Sequence, residues 1–266
     1  PPIAVISDDW ALSSSCMRAR TETRRSAAGR TSSSALLASA GVKMRGGTAP
    51  YRRDATPRLA AWLVLVGLLI ALAYGSRAAS GKPSPQVLYE WSTAVDGLVQ
   101  DAVLLVLVLL IAGFDRQLLA LRRPRSWPAA LKLLGGALVA IYVVEIVYTA
   151  VVHPGNEQGL TPSHWEPSHA AAYVVNGLVI CLWVPFVEEL TYRGLGYSLL
   201  APLGQVPAIF TVGILFGLSH GLLLTLPVIA TFGCVLAYVR AKTDSVVPGM
   251  LLHGTFNLIA LIAAVL

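Results

Sequence analysis

Apolar residues run along most of this chain in long blocks, separated by short polar stretches. A hydrocarbon core ~30 Å thick needs about 20 apolar residues per helix. Seven blocks approach that length: 59–75, 94–114, 129–152, 170–200, 204–223, 224–240 and 246–266. The pattern predicts an all-α, polytopic membrane helix bundle of about seven spans. The fourth block is overlong and contains Pro185, so a kink or an extension past the membrane surface is expected there. The first block could also be read as a signal peptide with Ala78-Ala79-Ser80 as a cleavage-like sequence. It is rather long for that and further spans follow it, so a retained helix is the reading taken.

Composition agrees with the pattern. The 266 residues are 55% hydrophobic and only 13% charged, with a mean hydropathy of +0.66, whereas soluble domains carry about 25% charged residues. This argues against a soluble globular enzyme and against disorder over most of the chain. The net charge of +6 resides in residues 1–58, which hold ten of the 20 Lys+Arg and four of the 14 Asp+Glu. We read 1–58 as a basic, disordered tail that sets topology and touches anionic lipid rather than nucleic acid. Met44 precedes Arg45, Arg52, Arg53 and Arg58, and a start there would make residues 1–43 a start-site artefact. Cys16, Cys181 and Cys234 have neither disulfide-framework nor zinc-ribbon spacing and read as small buried hydrophobes.

The connecting segments suggest an orientation. Arg52, Arg53 and Arg58 precede the first span; Arg116, Arg122, Arg123 and Arg125 fall in the second loop, and Arg240 and Lys242 at the sixth. The third loop, 153–169, has no Lys or Arg. This alternation puts the N-terminus in the cytoplasm and the C-terminus outside; the membrane expected is the inner membrane of a bacterial cell. Arg77 and Lys82 in the first loop run against it.

Ionisable groups inside a bilayer are costly and mark function by default. From Ala170 to Val239 they are, Cys and Tyr aside, Glu188, Glu189, Arg193 and His220; the last block adds His253 and Asn257. Glu189 and Arg193 are four apart in the favourable order for an ion pair on one helix face, while Glu188 points about 100° away. Glu188 precedes the expected turn at Gly204 by 16 residues and His220 follows it by 16. In an antiparallel pair both then lie about 24 Å from that turn. His253 enters seven residues beyond Val246 with Asn257 on the same face, so three helices can deliver Glu188, His220, His253 and Asn257 to one point. A carboxylate beside an imidazole in a low-dielectric pocket can act as general base towards water. His253 and Asn257 can donate hydrogen bonds to the oxyanion formed when water adds to a carbonyl.

Three motifs carry a resemblance. Glu188-Glu189-Leu190-Thr191-Tyr192-Arg193 resembles the EExxxR motif of the CPBP family, the CAAX proteases and bacteriocin-processing enzymes also called Abi proteins. Phe216-Gly217-Leu218-Ser219-His220 resembles its FxxxH motif, and His253-Gly254-Thr255-Phe256-Asn257 its HxxxN motif. The likeness covers about residues 170–262 and implies a glutamic-type intramembrane endopeptidase. By that resemblance Glu188 and His220 activate the water and His253 and Asn257 form the oxyanion site, while Glu189 and Arg193 support the pocket or orient substrate. The chain then divides into the tail 1–58, N-terminal membrane helices over 59–168 and a catalytic core over 169–266. The expected partners are a membrane-associated peptide or protein substrate and the lipid bilayer, with no nucleic acid.

Other readings use the same residues. Glu188, His220 and His253 could ligate zinc with an open fourth position, although HExxH is absent and Arg193 stands beside the carboxylates; otherwise no cofactor is expected. Gly217–Gly221 matches GxSxG literally, but the serine-hydrolase elbow needs a strand-turn-helix context. A transporter would show inverted repeats or broken helices in both halves, and none is seen. A catalytically silent bacteriocin-immunity or membrane scaffold protein is the remaining alternative. Glu145 in the third block reads as a packing partner or cavity wall, and His153, His164 and His169 as solvated loop residues.

Overall fold

The computed structural model describes residues 51–266 apart from Lys82 and Ser163, with the backbone alone for residues 51–54. The disordered reading of the tail, the start-site question at 1–43 and Cys16 lie outside the described residues, except for 51–58, which are helical. Seven apolar helices follow in order: α1 (Tyr51–Ser80), α2 (Trp91–Ala112), α3 (Trp127–Val152), α4 (Pro167–Leu203), α5 (Gln205–Leu218), α6 (Leu226–Thr243) and α7 (Val247–Ala263). Five of them are long and apolar enough to cross a membrane, and α5 and α7 are shorter. The protein is an all-α polytopic membrane bundle.

Local chemistry sets the ends. Ser126 caps α3 by accepting from the Ala129 amide, and Gly113 closes α2 in the left-handed conformation. Pro128, Pro227 and Pro248 open α3, α6 and α7, where a missing N–H costs nothing. Inside the bundle, Trp62, Val108, Ile141, Leu195, Phe216 and Leu236 are fully buried. Leu72, Val103, Val139, Ile146 and Val151 point outward and are exposed, as lipid-facing positions must be. Trp62 fixes α1 to the core: its Nε1 donates to Thr191 O at 2.9 Å, and its ring occupies the space above Gly196.

α4 is irregular where its sequence requires it. The expected kink at Pro185 is realised as a π-helical turn over Val179–Trp183, in which the Val184 amide reaches back to Val179 O. A second π-helical stretch, Glu189–Gly196, carries the charged pair. Single π turns of this kind recur at functional sites.

α5 and α6 form a tight antiparallel hairpin. A Cβ at Gly217 would stand 2.9 Å from Ala230 Cβ, and one at Gly233 would stand 2.7 Å from Gly213 O. Small residues thus let the backbones approach, as in membrane helix pairs generally. The expected fifth span, 204–223, is shorter in the structure: α5 stops at Leu218 and residues 219–225 form a non-helical strap. Ser219 Oγ turns back to Phe216 O at 2.8 Å, and Gly221 takes a left-handed φ of 64°.

The two ends of the bundle differ in their electrostatics. At one, Arg122 and Arg240 converge on Asp244 at 2.7 and 3.2 Å. At the other, Arg77 pairs with Glu157 at 2.9 Å. This pairing neutralises the Arg77 charge that ran against the loop alternation.

Gly217→Val is expected to destabilise the protein by about 1–3 kcal/mol through overpacking of the α5–α6 contact. Thermal denaturation of purified protein would show this as a lowered Tm.

Candidate active site

Glu188 ends the short α-helical stretch Val184–Glu188 of α4, and Glu189 begins the π-helical stretch that follows. The two carboxylates therefore leave the helix in different directions and meet different surroundings. Glu189 and Arg193 are completely buried and paired, Arg193 Nη1 to Glu189 Oε1 at 3.0 Å. Arg193 Nη2 donates to Gly233 O at 3.1 Å, and its guanidinium lies over the Phe216 ring, 4.2 Å from the centroid. Gly249 on α7 leaves room for this carboxylate, since a Cβ there would meet Glu189 Oε2 at 2.5 Å.

Glu188 faces the other way and keeps 17% of its side chain exposed; His220 keeps 23%. His220 Nε2 is 3.9 Å from Glu188 Oε1, and His253 Nε2 is 3.7 Å from Glu188 Oε2. These separations exceed a direct hydrogen bond and suit groups that share a water. The expected convergence of α4, α5 and α7 is thus found, with His220 in the strap just beyond α5.

Hydrogen-bond partners assign the imidazole protons. His220 Nδ1 lies 2.7 Å from Phe216 O, a carbonyl that can only accept, so the proton sits on Nδ1. His253 Nδ1 lies 3.3 Å from Glu189 Oε1, which Arg193 holds as a carboxylate, so this Nδ1 donates as well. Both rings accordingly present Nε2 to Glu188. Phe216 packs edge-on to His220 and His253 at 4.7 and 5.9 Å, and Phe232 packs against His253 at 5.2 Å.

Asn257 lies one turn after His253, but its Nδ2 donates to Ile180 O at 2.9 Å. The cause is in α4. In the π register set by Val184, the next amide, which would reach Ile180 O, belongs to Pro185, and proline has no N–H. Asn257 supplies the missing donor, leaving its second amide hydrogen for other use.

Two acidic residues escaped the reading of the sequence. Asp101 follows Gln100 at the head of the apolar run of α2; it is buried, its Oδ2 has no hydrogen-bond partner among the described residues, and the charge of Glu188 acts on it. The break in the apolar run was the available signal. Glu157, in the third loop, is 98% shielded and binds the strap that carries His220. Nothing in its polar surroundings distinguishes it in sequence. Glu145 has a buried Oε2 without a partner among the described residues. His164 and His169 both reach Glu166 at the surface, at 3.2 and 3.0 Å. Ser219 spends its hydroxyl proton on Phe216 O, at the end of a helix and not at a strand-turn-helix elbow. Among the described residues no group of three or more His, Cys, Asp or Glu is disposed to hold a metal ion.

Comparison with known proteins gives one match. Residues 170–259 match a family described as Rce1-like, Type II CAAX prenyl endopeptidase Rce1-like. No curated protein and no solved structure matches the chain. The matched segment contains Glu188, Glu189, Arg193, His220, His253 and Asn257. The likeness to CAAX-protease-like endopeptidases is confined to this segment, and the buried Glu189–His253 contact within it is consistent with a Glu/His-type centre.

Two predictions follow from this geometry. Asn257→Leu is expected to cost about 1–3 kcal/mol by orphaning Ile180 O, and Pro185→Ala in the same chain should recover part of it by restoring an N–H; a double-mutant cycle on Tm measures the coupling. Glu189→Ala and Arg193→Ala should each cost about 3–5 kcal/mol, because each strands a buried charge. Denaturation midpoints check this.

Proposed function

We propose that the protein cleaves a membrane-associated peptide or protein by direct attack of a water molecule activated by Glu188 and His220. The observation that carries this reading is the convergence on Glu188 of two Nε2 atoms at 3.7 and 3.9 Å, on the accessible side of an otherwise buried charged cluster. Glu188 and His220 offer acceptors to one water and take its proton as its oxygen attacks the scissile carbonyl. His253, with Nδ1 held by Glu189, turns Nε2 towards the same point and donates from it to the developing oxyanion when the ring carries a proton there. The free amide hydrogen of Asn257 adds a second donor. The proton then passes to the leaving amine, giving a new carboxyl and a new amino terminus. Glu189 and Arg193 do not touch the reacting atoms; they hold His253 and the floor of the pocket.

The three motifs favour the CPBP (Abi) branch, and the basic second and sixth loops favour a cytoplasmic N-terminus, in what we take to be the inner membrane of a bacterium. The tail 1–58 and the helices over 59–168 then precede a catalytic core over 169–266. A silent immunity or scaffold role has no geometric feature in its favour.

The test is proteolysis of candidate membrane peptides by the purified protein. Glu188→Ala and His220→Ala are expected to lower kcat by about 10³-fold or more while leaving Tm near that of the wild type. Cleavage should persist in a strong chelator. Loss of cleavage in chelator with recovery on adding zinc would transfer Glu188, His220 and His253 to a metal, and full activity in either variant would overturn the assignment.

A further inference from the structure

His220 is the one site residue that no regular helix holds. It follows the last turn of α5: the Ser219, His220 and Gly221 amides still bond back to Leu215, Gly217 and Leu218 O, and from Leu222 to Thr225 the chain crosses to α6 outside any helix. Its ring is fixed on one side by Phe216, through the Nδ1 contact and the edge-on packing. What fixes the backbone on the other side comes from outside the segment that the family match covers.

Glu157 is the centre of that support. Its Oε1 accepts from the Leu223 amide at 2.9 Å, and its Oε2 accepts from the Leu224 and Thr225 amides at 3.0 and 2.8 Å and from Thr225 Oγ1 at 3.0 Å. These amides precede and open α6, where an anionic acceptor is favoured. Arg77 of α1 pairs with the same carboxylate. Burial pushes the Glu157 pKa up, but the hydrogen bonds from Leu223, Thr225 and Leu224 outweigh this and hold it below the usual carboxylate range. The carboxylate is therefore charged at neutral pH.

Neighbouring groups complete the grip. Tyr74 of α1 donates to Leu222 O at 3.0 Å, and Tyr148 of α3 donates to Leu224 O at 2.5 Å. Gly221, at positive φ, lies so close to α1 that a Cβ would stand 2.9 Å from the Ala73 carbonyl. The third loop is shaped to present Glu157 inward: Asn156 and Thr161 close it through two hydrogen bonds at 2.6 and 3.2 Å. Gly155 and Gly159 supply its left-handed turns.

We infer that Glu157, clamped by Arg77, is a positioning residue for His220, so that α1, α3 and the third loop belong to the working part of the proteolytic site. The inference rests on the proposed role of His220 as a base. A clamp that wraps six backbone and side-chain donors and acceptors two to five residues beyond His220 limits how far its ring can drift from Glu188. A displacement of about 1 Å can cost 10²-fold in rate.

The experiment uses the full chain in liposomes and two readouts. The first is the rate at which diethyl pyrocarbonate modifies His220, followed by mass spectrometry with His253 as the internal control. The second is kcat and KM on a cleaved peptide. Glu157→Ala is expected to raise His220 modification about fivefold and to lower kcat about tenfold or more, with KM within about twofold of the wild type. Glu157→Gln and Tyr148→Phe, milder changes, should move both quantities in the same direction by less. Wild-type His220 reactivity together with wild-type kcat in folded Glu157→Ala overturns the inference. If that variant fails to fold, the same result in Glu157→Gln and Tyr148→Phe overturns it. The modification readout needs no substrate, so a wild type that cleaves nothing would count against the proteolytic reading and leave the clamp to be judged by His220 reactivity.

Discussion

Everything at the centre of this bundle depends on one buried ion pair. Glu189 and Arg193 have no solvent exposure at all, and two charges removed from water are tolerable only when their hydrogen-bonding capacity is largely met. The surroundings meet most of it, while Glu189 Oε2 and Arg193 Nε have no hydrogen-bond partner among the described residues. Gly249 leaves space for the carboxylate, Gly233 O takes an Nη2 proton, Phe216 offers its ring face to the guanidinium, and His253 gives its Nδ1 proton to Glu189. Helices α4, α5, α6 and α7 are thus brought into register by one pair. Glu188, one residue earlier, then points to the accessible side and meets both Nε2 atoms. Adjacent glutamates have opposite tasks because successive helical residues diverge by about 100°.

A second constraint comes from the backbone of α4. Pro185 withdraws a donor, the π turn before it shifts the register, and Ile180 O turns to Asn257. Asn257, which we propose as an oxyanion donor, is therefore also a structural donor. Its place one turn below His253 is dictated by a carbonyl as much as by a substrate. The same economy appears at the far end of the bundle, where Glu157 satisfies the amides just before α6 and at the same time holds the strap next to His220.

Much of this was legible in the sequence. Seven apolar blocks gave the seven helices, and the four-residue spacing of Glu189 and Arg193 gave their pairing. Equal spacing of Glu188 and His220 about Gly204 gave their meeting, because an antiparallel pair converts residue count into depth, here in spite of the π turns of α4 and the end of α5 at Leu218. What escaped depended on contacts between distant segments. Asp101 followed Asp96 and Gln100 at the polar start of an apolar run, and Glu157 lay in a loop already rich in polar residues. The early end of α5 came from Ser219 and Gly221, whose effect on the helix required Glu157 to hold the strap that follows. The engagement of Asn257 required the π register of α4, which apolar periodicity does not encode.

The central claim is that Glu188 activates a water for direct attack and that no protein nucleophile forms a bond to the substrate. The most direct measurement is a single-turnover cleavage in oxygen-18 water, with intact-mass analysis of enzyme and products over time. The account predicts one labelled oxygen in the new carboxyl terminus and an enzyme of unchanged mass at every time point. An enzyme species carrying the mass of the acyl fragment, on Ser219 or on Cys181 or Cys234, would contradict it.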